Sequence, residues 1–293
     1  MTALFKSPTL QKELEQNGFV KVPLLSKVEV AELMTAYQSV ALEHEKINIP
    51  YITTSHSNNS NLITFVDNVL QKVMAPAINN YLINYNLLFG NYLIKIPGNA
   101  SETSPHQDIT FVDESKFTSV NIWVALQDTN RENGCMYFLK GSHNLMPTLR
   151  PTHSYPWPYE KVTDEIKQRV EAFPAKAGEA FIFNHAIIHG SYSNSSTQPR
   201  IAAVMAAYNK EAELLHYYLP EGEKNNLQKY KMTKDAFLYF VKSQPPAKGI
   251  FLKQTYFEFK QLSQKQFISL TKERKGISNL VNSVSEFFKR DEL

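Results

Sequence analysis

The chain has 293 residues, 43% of them hydrophobic and including 18 Phe and 15 Tyr, which is enough to build a substantial core and excludes a disordered chain. Its formal net charge of +3 is spread along the whole length, so the basic stripe of a nucleic-acid binder is missing and small-molecule chemistry is expected. The only cysteine, Cys135, has no partner for an internal disulfide and lies in the apolar run Cys135–Leu139, which predicts a buried thiol and a reducing compartment.

The opening Met-Thr-Ala-Leu-Phe-Lys-Ser-Pro does not have the pattern of a signal peptide. No stretch approaches the roughly 18 apolar residues of a membrane span. The terminal Arg290-Asp-Glu-Leu293 resembles a retention signal, but such a signal is read only on a protein that has entered the secretory route. It is taken as coincidence, and a cytoplasmic protein without a membrane partner is expected.

Residues 7–40 read as helix, strand, helix. Gly18–Pro23 is the strand, Ser26-x-x-Glu29 is a capping box, and Val30, Leu33, Met34 and Tyr37 form one buried helical face. The polar segment 46–62 reads as a loop long enough to be a lid or binding segment, with His56 as a candidate substrate contact. A helix over 65–82 follows, then a strand over Asn91–Ile96.

From there to Tyr208 the pattern is of strands separated by turns. In residues 119–128, Asn121, Trp123, Ala125 and Gln127 share one face, while Ile122, Val124 and Leu126 share the other. The first face suits the interior of a barrel holding a charged ligand, with Asn121 a stronger candidate contact than Trp123 because an inward amide needs a hydrogen-bonding partner. Residues 144–174 form a proline-rich insertion with a short helix over 163–172. Its Arg150, His153, Tyr155 and Trp157 suit a substrate lid or simple surface cover. Beyond Tyr208 come a strand over 214–218 and a helix over 233–243. The tail then carries Ile277, Leu280, Val281, Val284 and Phe288 on one helical face, for docking on the barrel or on a second subunit.

The chemistry centres on Pro105-His106-Gln107-Asp108. Side chains two apart on an extended segment point the same way, so His106 and Asp108 can converge on one ion. With a second imidazole they make the two-histidine, one-carboxylate triad of non-heme Fe(II) oxygenases. His185 and His189 are four apart on the next apolar strand, and geometry alone does not choose between them.

His106-x-Asp108, Asn121–Asp128, Glu132-Asn-Gly134, Gly141-Ser-His143, and His189-Gly-Ser191 followed by Arg200 together resemble the phytanoyl-CoA dioxygenase family, in order from about Gly18 to about Tyr208. The resemblance implies a mainly β fold with flanking α-helices, a double-stranded β-helix of the jelly-roll or cupin kind. It also implies an Fe(II)-dependent dioxygenase with 2-oxoglutarate and O2 as cosubstrates. His189 becomes the third metal ligand, because it is joined to Gly190-Ser191 and lies eleven residues before Arg200. His185 is then supporting or core, and His143 structural. Arg200 would hold the distal carboxylate of 2-oxoglutarate with its planar fork. Ser191, Asn121 and Trp123 would line the same pocket.

One domain over residues 1–293 is expected, with the barrel at about 90–220 and the terminal helices covering its sheets. The expected reaction is hydroxylation of an unactivated C–H bond of a small molecule, or its diversion to desaturation or cyclisation, in specialised metabolism. The protein would be a monomer or homodimer. A cupin-like metal enzyme that does not use 2-oxoglutarate would leave Arg200 and Ser191 without a shared role. A non-catalytic binding protein should have lost a ligand.

Overall fold

The computed structural model describes residues 3–45, 49–152, 155–238 and 244–276. The chain opens with α1 (Pro8–Asn17), whose first turn is capped by the Ser7 hydroxyl and which stops at Gly18, in the left-handed region at φ +84. Strand β1 (Phe19–Pro23) leads to α2 (Lys27–Glu45), and the expected capping box is formed. Ser26 N donates to Glu29 Oε2 at 2.7 Å and Glu29 N to Ser26 Oγ at 3.3 Å. Next come β2 (Tyr51–Thr53), α3 (Ser60–Ile78), β3 (Tyr85–Lys95), β4 (Thr103–His106), β5 (Ser119–Ala125) and β6 (Met136–Phe138). They are followed by α4 (Thr163–Lys167), β7 (Glu171–Phe173), β8 (Glu179–Asn184), β9 (His189–Ser191) and β10 (Arg200–Asn209). The last described elements are β11 (Leu215–Tyr218), β12 (Asn226–Lys231), α5 (Lys234–Leu238), β13 (Ile250–Tyr256) and α6 (Gln264–Gly276).

Strands β1-β8-β5-β10-β3-β2 form the larger sheet and β4-β9-β6-β7 the smaller, and the two make the double-stranded β-helix. A third sheet, β11-β12-β13, follows them in sequence. The alternation along β5 sorts its side chains as expected. Ile122 and Val124 join a core containing Leu14 of α1, Leu33 of α2 and Val66, Leu70 and Met74 of α3. Trp123 and Ala125 join Phe138, Phe181 and Phe183 on the other face. Each such side chain fully buried contributes about 1.5–3 kcal/mol before chain entropy is set against it, so the helical layer is anchored by this one face.

The structure departs from expectation in several places. Helix α3 begins at Ser60, earlier than position 65, because the Asn59 side chain accepts from the amides of Asn61 and Leu62. The polar segment before it contains β2, paired at the sheet edge with β3. The helix expected over 163–172 ends at Lys167, and residues 171–173 become β7. Among the described residues, the larger sheet is covered by α1, α2 and α3 and by α5, whose Ala236 and Phe237 join Leu88 of β3 and Ala206 of β10, whereas α6 packs Phe267 against Tyr159, Val162 and Ile166 of the insertion. The tail from Ile277, the second half of the helix expected over 233–243, and His153 lie outside the described residues. Among the described residues no helix is long and apolar enough to cross a membrane.

His216 on β11 is fully buried, with Nε2 3.0 Å from Thr152 Oγ1. Burial pushes it down to about 4, so it stays neutral in the folded protein well below the pH at which an unfolded histidine takes up a proton. The unfolded state therefore binds the extra proton below about pH 6.5, and stability falls as pH drops towards 4. In His216→Gln the loss of unfolding free energy between pH 7 and pH 5, read from urea titrations, should be smaller by about 2 kcal/mol.

Candidate metal centre

Antiparallel pairing of β4 with β9 sets His106 directly opposite His189, and their rings lie 4.4 Å apart between centroids. His106 Nδ1 lies 2.8 Å from Ser104 O, and His189 Nδ1 lies 3.0 Å from Ile187 O. A carbonyl only accepts, so in both rings Nδ1 carries the proton and Nε2 keeps a lone pair. These Nε2 atoms point to Asp108, with His106 3.9 Å from Oδ1 and His189 3.6 Å from Oδ2. All three ligand atoms lie within 4.8 Å of one another.

Burial pushes Asp108 up, but His189, His185, His106 and Arg150 outweigh it and hold the carboxyl below its ordinary value. Burial pushes His189 down to about 4, against the opposing pull of Asp108, so the imidazole is neutral at pH 7. One carboxylate and two imidazoles, each with Nδ1 held by a backbone carbonyl, are the donor set that a divalent first-row metal takes. Gly190 is required here, since a Cβ on it would strike the Tyr137 hydroxyl and Thr103 O.

Asp108 reaches this position without the regular strand expected for it, because β4 stops at His106. Its amide donates to His185 O at 2.9 Å, its carbonyl accepts from Arg150 Nε, and its Oδ2 accepts from Asn121 Nδ2 at 2.7 Å. Asn121, expected at the cosubstrate, thus bonds to the metal-facing carboxylate. His185 is buried, with Nδ1 2.7 Å from Ser119 Oγ and its ring 4.7 Å from Phe111. His143 lies with Nε2 3.1 Å from Glu15 O at the end of α1.

Arg200 opens β10, and its Cζ sits 5.4 Å from the Trp123 ring centre. It is 1% exposed, yet Nε and Nη1 have no hydrogen-bond partner. Burial pushes the guanidinium down to about 10, so it is charged at pH 7, and no ion pair to it exists among the described residues. Ser191 shares a strand face with His189, being two residues further along β9.

Two side chains of this wall escape a reading of the sequence. Lys95 stands opposite Arg200 across β3 and β10 and opposite Tyr51 across β3 and β2, so the three form one row. The Lys95 amine is fully buried and donates to Ser101 O and, at 3.3 Å, to Ser191 O. Burial pushes Lys95 down to about 7, helped by the charge of Arg200. Burial likewise pushes Tyr51 up to about 12, with Arg200 lowering it and Asp108 raising it, so its phenol lies within the field of both ends of the site. The only cue in the sequence was the alternation Tyr51-Ile52-Thr53 inside a polar run.

His56 is exposed on the turn after β2. Arg150 is buried, with partners for its guanidinium within the protein. Tyr155 packs on Phe259 at 5.5 Å between centroids, and Trp157 Nε1 donates to Gln107 Oε1 at 3.3 Å.

The sequence profile of the family Phytanoyl-CoA dioxygenase (PhyH) matches residues 14–202. The chain belongs to the phytanoyl-CoA dioxygenase family. A phytanoyl-CoA dioxygenase domain-containing protein 1 from Danio rerio is 38% identical over 131 residues, covering 41% of this chain and 43% of the relative. A phytanoyl-CoA dioxygenase 1 from Oryza sativa subsp. japonica is 28% identical over 123 residues, with the same shares. The alignments thus span less than half of these curated relatives. Among solved structures, SnoK, a non-heme α-ketoglutarate-dependent carbocyclase from nogalamycin biosynthesis, is 21% identical with a TM-score of 0.53. That match covers 71% of this chain and 86% of SnoK. The epimerase SnoN, solved with Fe3+, α-ketoglutarate and nogalamycin RO, is 23% identical with a TM-score of 0.53, covering 84% of this chain and 94% of SnoN. These likenesses bear on the fold. Every residue placed at the metal centre, and Arg200, falls inside the span matched to the phytanoyl-CoA dioxygenase family.

Replacing His106 or His189 by Ala should abolish high-affinity metal binding, measured by calorimetric titration of the chelator-treated protein. His143→Ala and His185→Ala should still bind. Loss of metal in His185→Ala with retention in His189→Ala would reverse the ligand assignment.

Proposed function

We propose that this protein is an Fe(II)- and 2-oxoglutarate-dependent dioxygenase that oxidises an unactivated C–H bond of a small molecule. The observation that carries the reading is the buried Arg200 guanidinium with two unpartnered nitrogens, lining the same barrel as a histidine–aspartate–histidine cluster. A buried unpaired charge is costly enough that a partner is implied, and a carboxylate matches the planar fork in two parallel bonds. 2-Oxoglutarate supplies such a carboxylate at one end and a metal-chelating keto acid at the other.

His106, Asp108 and His189 would hold the metal, and Fe(II) with 2-oxoglutarate and O2 supplies oxidative decarboxylation coupled to removal of hydrogen from the substrate. The remaining work belongs to the chain. Asn121 orients the Asp108 carboxylate through its 2.7 Å hydrogen bond, and Ser104 O and Ile187 O keep the imidazole lone pairs directed at the ion. Arg200 fixes the far carboxylate, and the Trp123 ring beside it keeps water from the guanidinium. A metal enzyme without 2-oxoglutarate would leave Arg200 buried and unpaired, which disfavours that alternative.

The purified protein with Fe(II) should convert 2-oxoglutarate to succinate, and absence of iron-dependent succinate would overturn the reading. Arg200→Gln should raise the apparent KM for 2-oxoglutarate by a factor on the order of 30 or more, since losing one member of a buried charge pair costs about 2–5 kcal/mol. Metal affinity should change little.

A further inference from the structure

We propose that Arg150 and Trp157 are positioning residues for the Asp108 carboxylate, so that the insertion of residues 144–174 acts as a brace behind the metal centre. This rests on the reading of the triad given above. Residues 107–112 have left the sheet, and a buried backbone without ladder partners must find them elsewhere. One side is served by the turn after β8. His185 O accepts from Asp108 N at 2.9 Å, and Ala186 O accepts from the Gln107 side-chain amide.

The other side is served by the insertion. Arg150 N donates to Thr110 Oγ1 and Thr110 N to Arg150 O, both at 3.0 Å. The Arg150 guanidinium, 1% exposed, donates Nε to Asp108 O, Nη1 to Thr148 O at 3.0 Å and Nη2 to the Glu114 carboxylate. Every nitrogen of the fork has an acceptor in the protein, and one of them is the backbone of a metal ligand. Trp157 meets the same stretch one residue earlier through its hydrogen bond to Gln107. Gln107 is the residue between the two ligands, so the brace grips the segment from Gln107 to Thr110 at three points.

Asp108 has no strand to hold its main chain, and the direction of its Cα–Cβ bond is set by these contacts. Arg150 therefore acts on the metal through Asp108, as Asn121 acts on the carboxylate oxygen. Partners that orient a ligand from behind typically change metal affinity by roughly 10–100-fold when lost.

The test compares Arg150→Lys, Glu114→Gln and Trp157→Phe with wild type and with His143→Ala as a control. Co(II) affinity and the visible Co(II) spectrum are measured on chelator-treated protein, alongside circular dichroism and thermal midpoints. Arg150→Lys, which keeps the charge and loses the fork, should bind Co(II) roughly 10–100-fold more weakly with an altered spectrum. Trp157→Phe, which keeps the ring and loses the donor, and Glu114→Gln, which loosens Arg150 from a partly exposed position, should shift both readouts the same way by less. His143→Ala should shift neither. Folded variants with wild-type Co(II) affinity and spectrum would overturn the proposal, and so would a change confined to substrate KM, which would return the insertion to a lid. If Arg150→Lys fails to fold, Trp157→Phe and Glu114→Gln decide between the same two outcomes. Wild-type protein that binds Co(II) tightly but turns over no 2-oxoglutarate would sink the functional reading while leaving this one testable by the same spectra.

Discussion

The antiparallel register between β4 and β9 is the constraint on which the site depends. It sets His106 opposite His189 and so brings two imidazoles from residues 83 apart in sequence within ring contact. A slip of one residue would turn every side chain to the other face of its strand. The register is held by the close approach of Tyr137 and Thr103 to Gly190, where any side chain would force the strands apart. It is held again by β6, which pairs Phe138 with His189 on the other side. A catalytic geometry is thus secured by packing that is itself chemically inert.

The second constraint is electrostatic. The barrel interior contains a charged guanidinium and a buried amine as cross-strand neighbours, an arrangement that like charges disfavour. Backbone carbonyls of Ser101 and Ser191 take up the amine, and burial together with Arg200 brings it to about 7. Arg200 has no comparable acceptor for two of its nitrogens. Of these two cations the protein has satisfied Lys95 and not Arg200, which supports the proposed carboxylate partner. This asymmetry is a local defect in a core otherwise filled by Trp123, Phe138, Phe181 and Phe183, and such defects accompany binding sites more often than folding requirements.

The expectation that His106, Asp108 and His189 share one site came from an assumed strand and from the family resemblance, and the three do converge, although Asp108 arrives on a loop and not by strand alternation. The two faces of β5 were legible from two-residue alternation. What escaped depends on distant pairing. Tyr51 looked like part of a polar loop, and only its pairing with Lys95 at the edge of the larger sheet reveals it as part of the row that ends at Arg200. Asn121 was correctly turned inward, but its amide had two charged groups to choose from, and only the path of residues 107–112 shows that Asp108 is the nearer. Asn59 as a helix cap was hidden in a run of serines and asparagines, any of which could have served.

Arg150 shows why a proline-rich insertion is hard to interpret from composition. Prolines limit where the chain can go but not what it covers, and an arginine there suits solvent, a substrate or a buried acceptor equally well. The deciding fact is that β4 ends too early to carry both of its ligands. That termination frees the loop to bring Asp108 between the two histidines, and it also leaves a main-chain carbonyl in the interior that needs a donor from the protein. Arg150 and the turn after β8 satisfy that segment from opposite sides, while Arg200, Lys95 and Tyr51 form a cross-strand row on three other strands. The histidine–aspartate–histidine cluster and the Arg200 row are thus supported by separate parts of the chain, so the two can respond independently to substitution.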